Sequence, residues 1–135
     1  MQKSTAPTKI IFFGTPEFAV PALVALHDAG FDIVAVVTQP DKPVGRGLKV
    51  EALPVRVRAQ ELGLKVLQPA TLKEPVAGGL VPRALAAHEV PRYIDELRTL
   101  NADIAVVVAY GKIFPPAVLE LFPRGMINVH PSLLP

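Results

Sequence analysis

The sequence predicts an α/β domain built on an open, mainly parallel, twisted sheet with helices on both faces. Three observations predict it. Short runs rich in valine and isoleucine alternate along the chain with segments whose apolar residues recur at helical spacing, the pattern of repeated strand, helix, strand units with right-handed parallel crossovers. Those runs are apolar at nearly every position instead of every second one, as in strands covered on both faces. The chain has 135 residues, half of them hydrophobic, which suits a single globular domain.

Each element has its own local signal. Lys9 to Phe13 is an apolar run ending at Gly14. Thr15, Pro16 and Glu17 then offer an N-cap, a proline for the first helical position and an acid against the positive end of a helix dipole. The helix should run through Phe18, Val20, Leu23 and Leu26 and stop near Gly30, a C-terminal cap. Asp32 to Thr38 reads as a buried strand, and Gln39 to Val50 as a loop by its proline and glycine content. Pro54 to Leu62 reads as a helix closed by Gly63, and Lys65 to Leu67 as a brief third strand.

From Gln68 to Pro91, prolines 69, 75, 82 and 91 and the Gly78-Gly79 pair interrupt regular structure, leaving at most a short helix over Val81 to Val90. Arg92 to Leu100 places Ile94, Leu97 and Leu100 on one helical side. Asp103 to Ala109 is the clearest buried strand, and Tyr110-Gly111 turns the chain. Pro115-Pro116 opens a short helix to Phe122, and Gly125 to His130 forms the last strand. The polar residues 1–8 are expected to be a disordered N-terminal segment.

Composition removes several functions. With no cysteine, there is no disulfide framework, thiolate nucleophile or zinc-thiolate site. The three histidines are scattered at 27, 88 and 130, so no metal site is expected. No apolar run approaches the roughly 20 residues that span a bilayer, and Met1 to Thr8 lacks the apolar core of a secretory signal. A cytoplasmic protein without a membrane partner is expected. Formal net charge is +2, but Lys42 to Lys65 holds six basic residues against Glu51 and Glu61, a local +4 that leaves −2 elsewhere. Charge alone reads as a solvated surface.

Ligands of open α/β sheets sit beyond the carboxyl ends of the strands. Gly14, Gln39, Tyr110-Gly111 and Asn128 to Pro131 all fall there. The segment Gly14 to Ala19 (GTPEFA) lacks the GxGxxG spacing, with Pro16 at the second glycine position, so a dinucleotide is not expected. Asn128 and His130 are more informative. Side chains two apart on a strand share a face, so an amide and an imidazole emerge together just before Pro131. A single histidine near a strand end is commonly structural, but beside an asparagine at a crevice it acquires chemistry. The amide can donate to a developing oxyanion, and the imidazole can hold or pass a proton near neutral pH. No nucleophile is paired with His130, and Ser132 lacks the glycine-flanked elbow that would expose it. Direct transfer is therefore expected in place of a covalent enzyme intermediate.

Four segments carry a resemblance: Ile10 to Ala19 (IIFFGTPEFA), Thr38 to Gly47 (TQPDKPVGRG), Val106 to Gly111 (VVVAYG) and Ile127 to Pro135 (INVHPSLLP). In this order they resemble the amino-terminal part of the methionyl-tRNA formyltransferases, from about Lys9 to the last residue. Enzymes that formylate glycinamide ribonucleotide or amino sugars share the Asn-x-His strand, but the QPDKPVGRG loop is most similar to the tRNA enzymes. The resemblance implies a Rossmann-like formyltransferase fold, with residues 9–135 as the amino-terminal portion of the catalytic domain. It implies 10-formyltetrahydrofolate as formyl donor, without a metal, and the amino group of initiator methionyl-tRNA as acceptor, in translation initiation.

By motif, Asn128 and His130 would be two of three catalytic residues. Ser132, Leu133, Leu134 and Pro135 would contact the folate, with Tyr110, Gly111, Lys112 and Ile113 lining its pocket. Lys42, Arg46 and Lys49 would reach toward the tRNA acceptor end, where cations against phosphates give salt-sensitive affinity. The family's catalytic aspartate lies beyond the Asn-x-His strand, so the chain is expected to be truncated after that strand and incomplete as an enzyme. Lys73 to Tyr93 is longer and more proline-rich than the family usually shows. Two other readings stand beside this one: formylation of a small amine such as an amino sugar nucleotide or glycinamide ribonucleotide, and a non-catalytic module that binds folate or self-associates through the open edge of its last strand.

Overall fold

The computed structural model describes residues 7–40, 42–44, 49–51, 53–69, 92–111 and 114–129, without the side chains of 42–44, 49–51 and 92. The elements follow the expected order. They are β1 (Lys9–Gly14), α1 (Val20–Asp28), β2 (Asp32–Val37), β3 (Lys42–Val44), β4 (Lys49–Glu51), α2 (Pro54–Glu61), β5 (Val66–Leu67), α3 (Arg92–Thr99), β6 (Ile104–Val108), α4 (Pro116–Leu119) and β7 (Met126–Val129). Five strands form one sheet in the order β5-β2-β1-β6-β7, and every neighbouring pair is parallel.

Helices cover both faces. Leu23 of α1 and Val55 and Ala59 of α2 are buried with Ile10, Phe12, Val36, Val106 and Val108 on one side. Ile94 and Leu97 of α3, with Val118 and Phe122, are buried against Ile11, Phe13, Val37, Ala105 and Val107 on the other. This is why the strands read as continuous apolar runs. A register shift between Ile10 and Ile11, which pair with Ile33 and Ala35, lets Val36 and Val37 face the same layers as Phe12 and Phe13.

Three local expectations are corrected. Gln39 to Val50, read as a loop, contains an antiparallel ribbon in which Lys42, Pro43 and Val44 pair with Glu51, Val50 and Lys49. A two-stranded ribbon has only edge strands, where a proline is tolerated. Thr15 does not cap the first helix: a 3-10 turn over Glu17–Ala19 has Pro16 at its cap without a side-chain bond, and the proline in the first turn of α1 is Pro21. The helix expected to reach Phe122 ends at Leu119. Leu121 N–H donates to Val118 C=O at 3.1 Å, a tighter turn, and Pro123 disfavours helical geometry at Phe122. The helix considered over Val81 to Val90 lies outside the described residues.

Gly14 is required by packing. A Cβ there would stand 2.8 Å from Phe12 Cε1, 2.9 Å from Ala19 Cβ and 2.9 Å from the Val108 carbonyl oxygen. Beside it lies an aromatic cluster. Phe13 meets Tyr110, Phe114 and Phe122 edge-on at centroid distances of 5.5, 4.9 and 6.2 Å, and Tyr110 stacks on Phe114 at 5.6 Å. The Tyr110 hydroxyl is buried without a hydrogen-bond partner among the described residues, and burial pushes its phenol well above the ordinary value.

Two predictions follow from this packing. Gly14→Ala should lower stability by about 2 kcal/mol through overpacking, read as a fall in the urea midpoint at unchanged m-value. For Tyr110, the folded state keeps the proton that the unfolded chain loses above its ordinary pKa of 10.0. The phenol therefore leaves stability unchanged at lower pH and subtracts from it as pH climbs above that value. In a base titration followed by phenolate absorbance, the component that Tyr110→Phe removes should emerge only as the protein unfolds; emergence near the ordinary value in folded protein would contradict the burial.

Candidate functional site

In a parallel sheet all carboxyl ends lie on one side, and a crevice opens where consecutive connections leave in opposite directions. Here β2 and β5 lie to one side of β1, and β6 and β7 to the other. The crevice therefore falls between the ends of β1 and β6.

The residues at this point are joined by hydrogen bonds. Thr15, just past β1, donates its hydroxyl to the Tyr110 carbonyl at 3.4 Å. Thr38, fully buried past β2, donates to Thr15 Oγ1 at 3.4 Å. Gln39 donates its backbone N–H to the same oxygen at 3.3 Å and its side-chain Nε2 to the Tyr110 carbonyl at 2.6 Å. Gln68, past β5, donates Nε2 to the Gln39 carbonyl at 3.2 Å. Four strand ends are thus tied together. Tyr110 itself sits between Ala109 at φ 54° and Gly111 at φ 85°, so the chain leaves β6 through a left-handed turn. At Gly111 a Cβ would lie 2.7 Å from Gln39 Nε2.

Asn128 lies at the far side of the crevice. It is in register with Val107 on β6, which is in register with Phe13 on β1. Neighbours in register share a face, so Asn128 stands on the Phe13 side, two strand spacings or about 10 Å from it. Among the described residues β7 is an edge strand, and Asn128 is exposed. Its partner His130 lies outside the described residues, as do Ser132, Leu133, Leu134, Pro135, Lys112, Ile113 and Arg46. Lys42 and Lys49 sit on the two strands of the β3–β4 ribbon.

The crevice thus gathers Gly14, Gln39, Tyr110 and Gly111 as the strand ends required. Sequence reasoning missed the roles of Thr15, Thr38 and Gln68. Their one signal is position: each is the first or second residue after a run of apolar strand residues. Among the described residues no three His, Cys, Asp or Glu side chains are grouped to hold a metal ion. No described helix is long and apolar enough to cross a membrane.

Methionyl-tRNA formyltransferases from Paraburkholderia xenovorans and Paraburkholderia phymatum are 50% and 48% identical to this chain over 127 residues, 94% of its length. That of Caldanaerobacter subterraneus is 48% identical over the same span. The chain covers 36% of the length of each. Among solved structures, glycinamide ribonucleotide transformylase 1 from Geobacillus kaustophilus superposes with a TM-score of 0.60 at 18% identity, over 96% of this chain and 60% of that one. Its counterpart from Symbiobacterium toebii gives 0.59 at 16%, over 98% and 55%. At such identity the likeness is one of fold, and it agrees with the Rossmann-like sheet. The profile of the Formyl transferase family matches residues 8–135, and the chain belongs to that family.

Proposed function

We propose that the protein containing this chain transfers a formyl group from 10-formyltetrahydrofolate to the amino group of methionine on initiator tRNA, residues 9–135 being the amino-terminal portion of its catalytic domain. The observation that carries this reading is the 48–50% identity to methionyl-tRNA formyltransferases over 127 residues.

The chemistry is an acyl transfer. The amine nitrogen attacks the formyl carbon, a new C–N bond forms, and the formyl oxygen becomes an oxyanion in a tetrahedral intermediate. The bond to folate N10 then breaks, and the proton lost by the amine is returned to N10. Asn128 donates its amide N–H to the oxyanion, for which its exposure at the crevice is a requirement. His130 takes the proton from the amine and relays it to the leaving nitrogen. Tyr110, Gly111, Lys112 and Ile113 line the folate pocket, and Ser132, Leu133, Leu134 and Pro135 contact the same ligand. The ribbon carrying Lys42 and Lys49, with Arg46 between them in the sequence, meets phosphates of the acceptor end.

In the whole protein, Asn128→Ala should lower turnover by about 10²–10³-fold and His130→Ala by about 10²–10⁴-fold, with far-UV circular dichroism unchanged. Near-normal turnover in either variant would refute the assignment. Arg46→Ala tests the acceptor. With charged initiator tRNA it should raise KM and reduce the slope of log affinity against log salt by about 0.9. An unaltered salt slope, together with efficient formylation of an amino sugar nucleotide or glycinamide ribonucleotide, would favour a small-amine substrate instead.

A further inference from the structure

We infer that Gln39 is a positioning residue for the folate pocket, its side-chain amide holding the Ala109–Tyr110–Gly111 turn from which the pocket-lining segment departs. What the turn serves rests on the proposed folate chemistry; what Gln39 does rests on the hydrogen bonds alone.

The turn needs an external hold. Ala109 at φ 54° occupies the left-handed region, which is unfavourable for a residue with a Cβ and persists only where the surroundings impose it. The Tyr110 carbonyl is the point at which they do. It accepts from Gln39 Nε2 at 2.6 Å and from Thr15 Oγ1 at 3.4 Å, and the Gln39 bond, being much the shorter, dominates.

The donor is itself rigid. Gln39 N–H donates to Thr15 at 3.3 Å and Gln39 C=O accepts from Gln68 at 3.2 Å, so its backbone is fixed to the ends of β1 and β5. Gly111 completes the fit, because any Cβ would displace the amide, from which it would stand only 2.7 Å. Gln39 also lies three residues before β3, at the root of the basic ribbon. One side chain thus joins the proposed folate segment to the base of the proposed tRNA segment.

Two near-isosteric variants separate positioning from bulk. Gln39→Met keeps length and removes the donor. Gln39→Glu sets a carboxylate oxygen against the Tyr110 carbonyl at neutral pH and regains an O–H donor when protonated. Affinity for 5-formyltetrahydrofolate, measured by calorimetry at a temperature where both proteins are folded, should fall about tenfold in Gln39→Met with far-UV circular dichroism unchanged. Gln39→Glu should bind similarly weakly at about pH 8 and recover relative to the parent at about pH 5, where an ordinary glutamate begins to protonate. Parent-like affinity in both variants, or a variant-to-parent ratio for Gln39→Glu that ignores pH, would overturn the inference. A parent chain that binds no folate would count against the proposed function at this site. The clamp would then be decided by the Gly111 amide: a shifted 15N resonance and faster hydrogen exchange in Gln39→Met support it, and a parent-like amide overturns it.

Discussion

Ile10, Ile11, Phe12 and Phe13 are each 2% exposed or less, and they point alternately into the α1/α2 layer and the α3/α4 layer. Burying four such side chains is worth roughly 6–12 kcal/mol, comparable with the whole net stability of a typical domain at about 5–15 kcal/mol. A strand so buried belongs at the centre of the sheet, between β2 and β6. Once it is there, its end at Gly14 meets Val108 and Ala19 with no space for a side chain, and the ends of three strands converge. The crevice is a consequence of how the core closes.

That convergence explains the polar network above it. Thr15, Thr38, Gln39 and the Tyr110 carbonyl meet beside the Phe13–Tyr110 ring pair, and the buried Thr38 and Tyr110 find partners inside the protein for the hydroxyl and carbonyl that lose hydration there. The hydrogen bonds meet this demand and stiffen the loops at the same time. For the proposed formyl transfer, a rigid loop base would matter, because misplacement by an ångström is costly in rate. The opposite holds at β7. Among the described residues, Ile127 and Val129 are 51% and 41% exposed on one face of this edge strand and Asn128 is exposed on the other, in a chain that covers 36% of the length of its relatives.

Much of the fold was legible residue by residue. β1, β2 and β6 each begin and end within about a residue of the expected bounds, because an unbroken apolar run flanked by glycine or polar residues is a local signal. The ribbon over Lys42 to Glu51 was not legible, since prolines and glycines mark a loop unless one knows that both its strands are edges. The end of α4 was misjudged by the span from Glu120 to Phe122, where Pro123 acts one residue ahead of itself. In the site, Asn128 stood out through its neighbours in sequence. Thr15 was misread as a helix cap because its hydroxyl can serve either role, and its partner, Tyr110, is 95 residues away.

The chain by itself therefore determined where the central strands lie and that they form a parallel sheet covered on both faces, because periodicity and turn residues act over a few neighbours. Only the tertiary structure decided that Gln39 would meet the Tyr110 carbonyl across 71 residues and that a Cβ at Gly111 would crowd the Gln39 amide. Those outcomes follow from the spatial order β5-β2-β1-β6-β7, which is set by how apolar layers pack together and leaves no mark on any short stretch of residues.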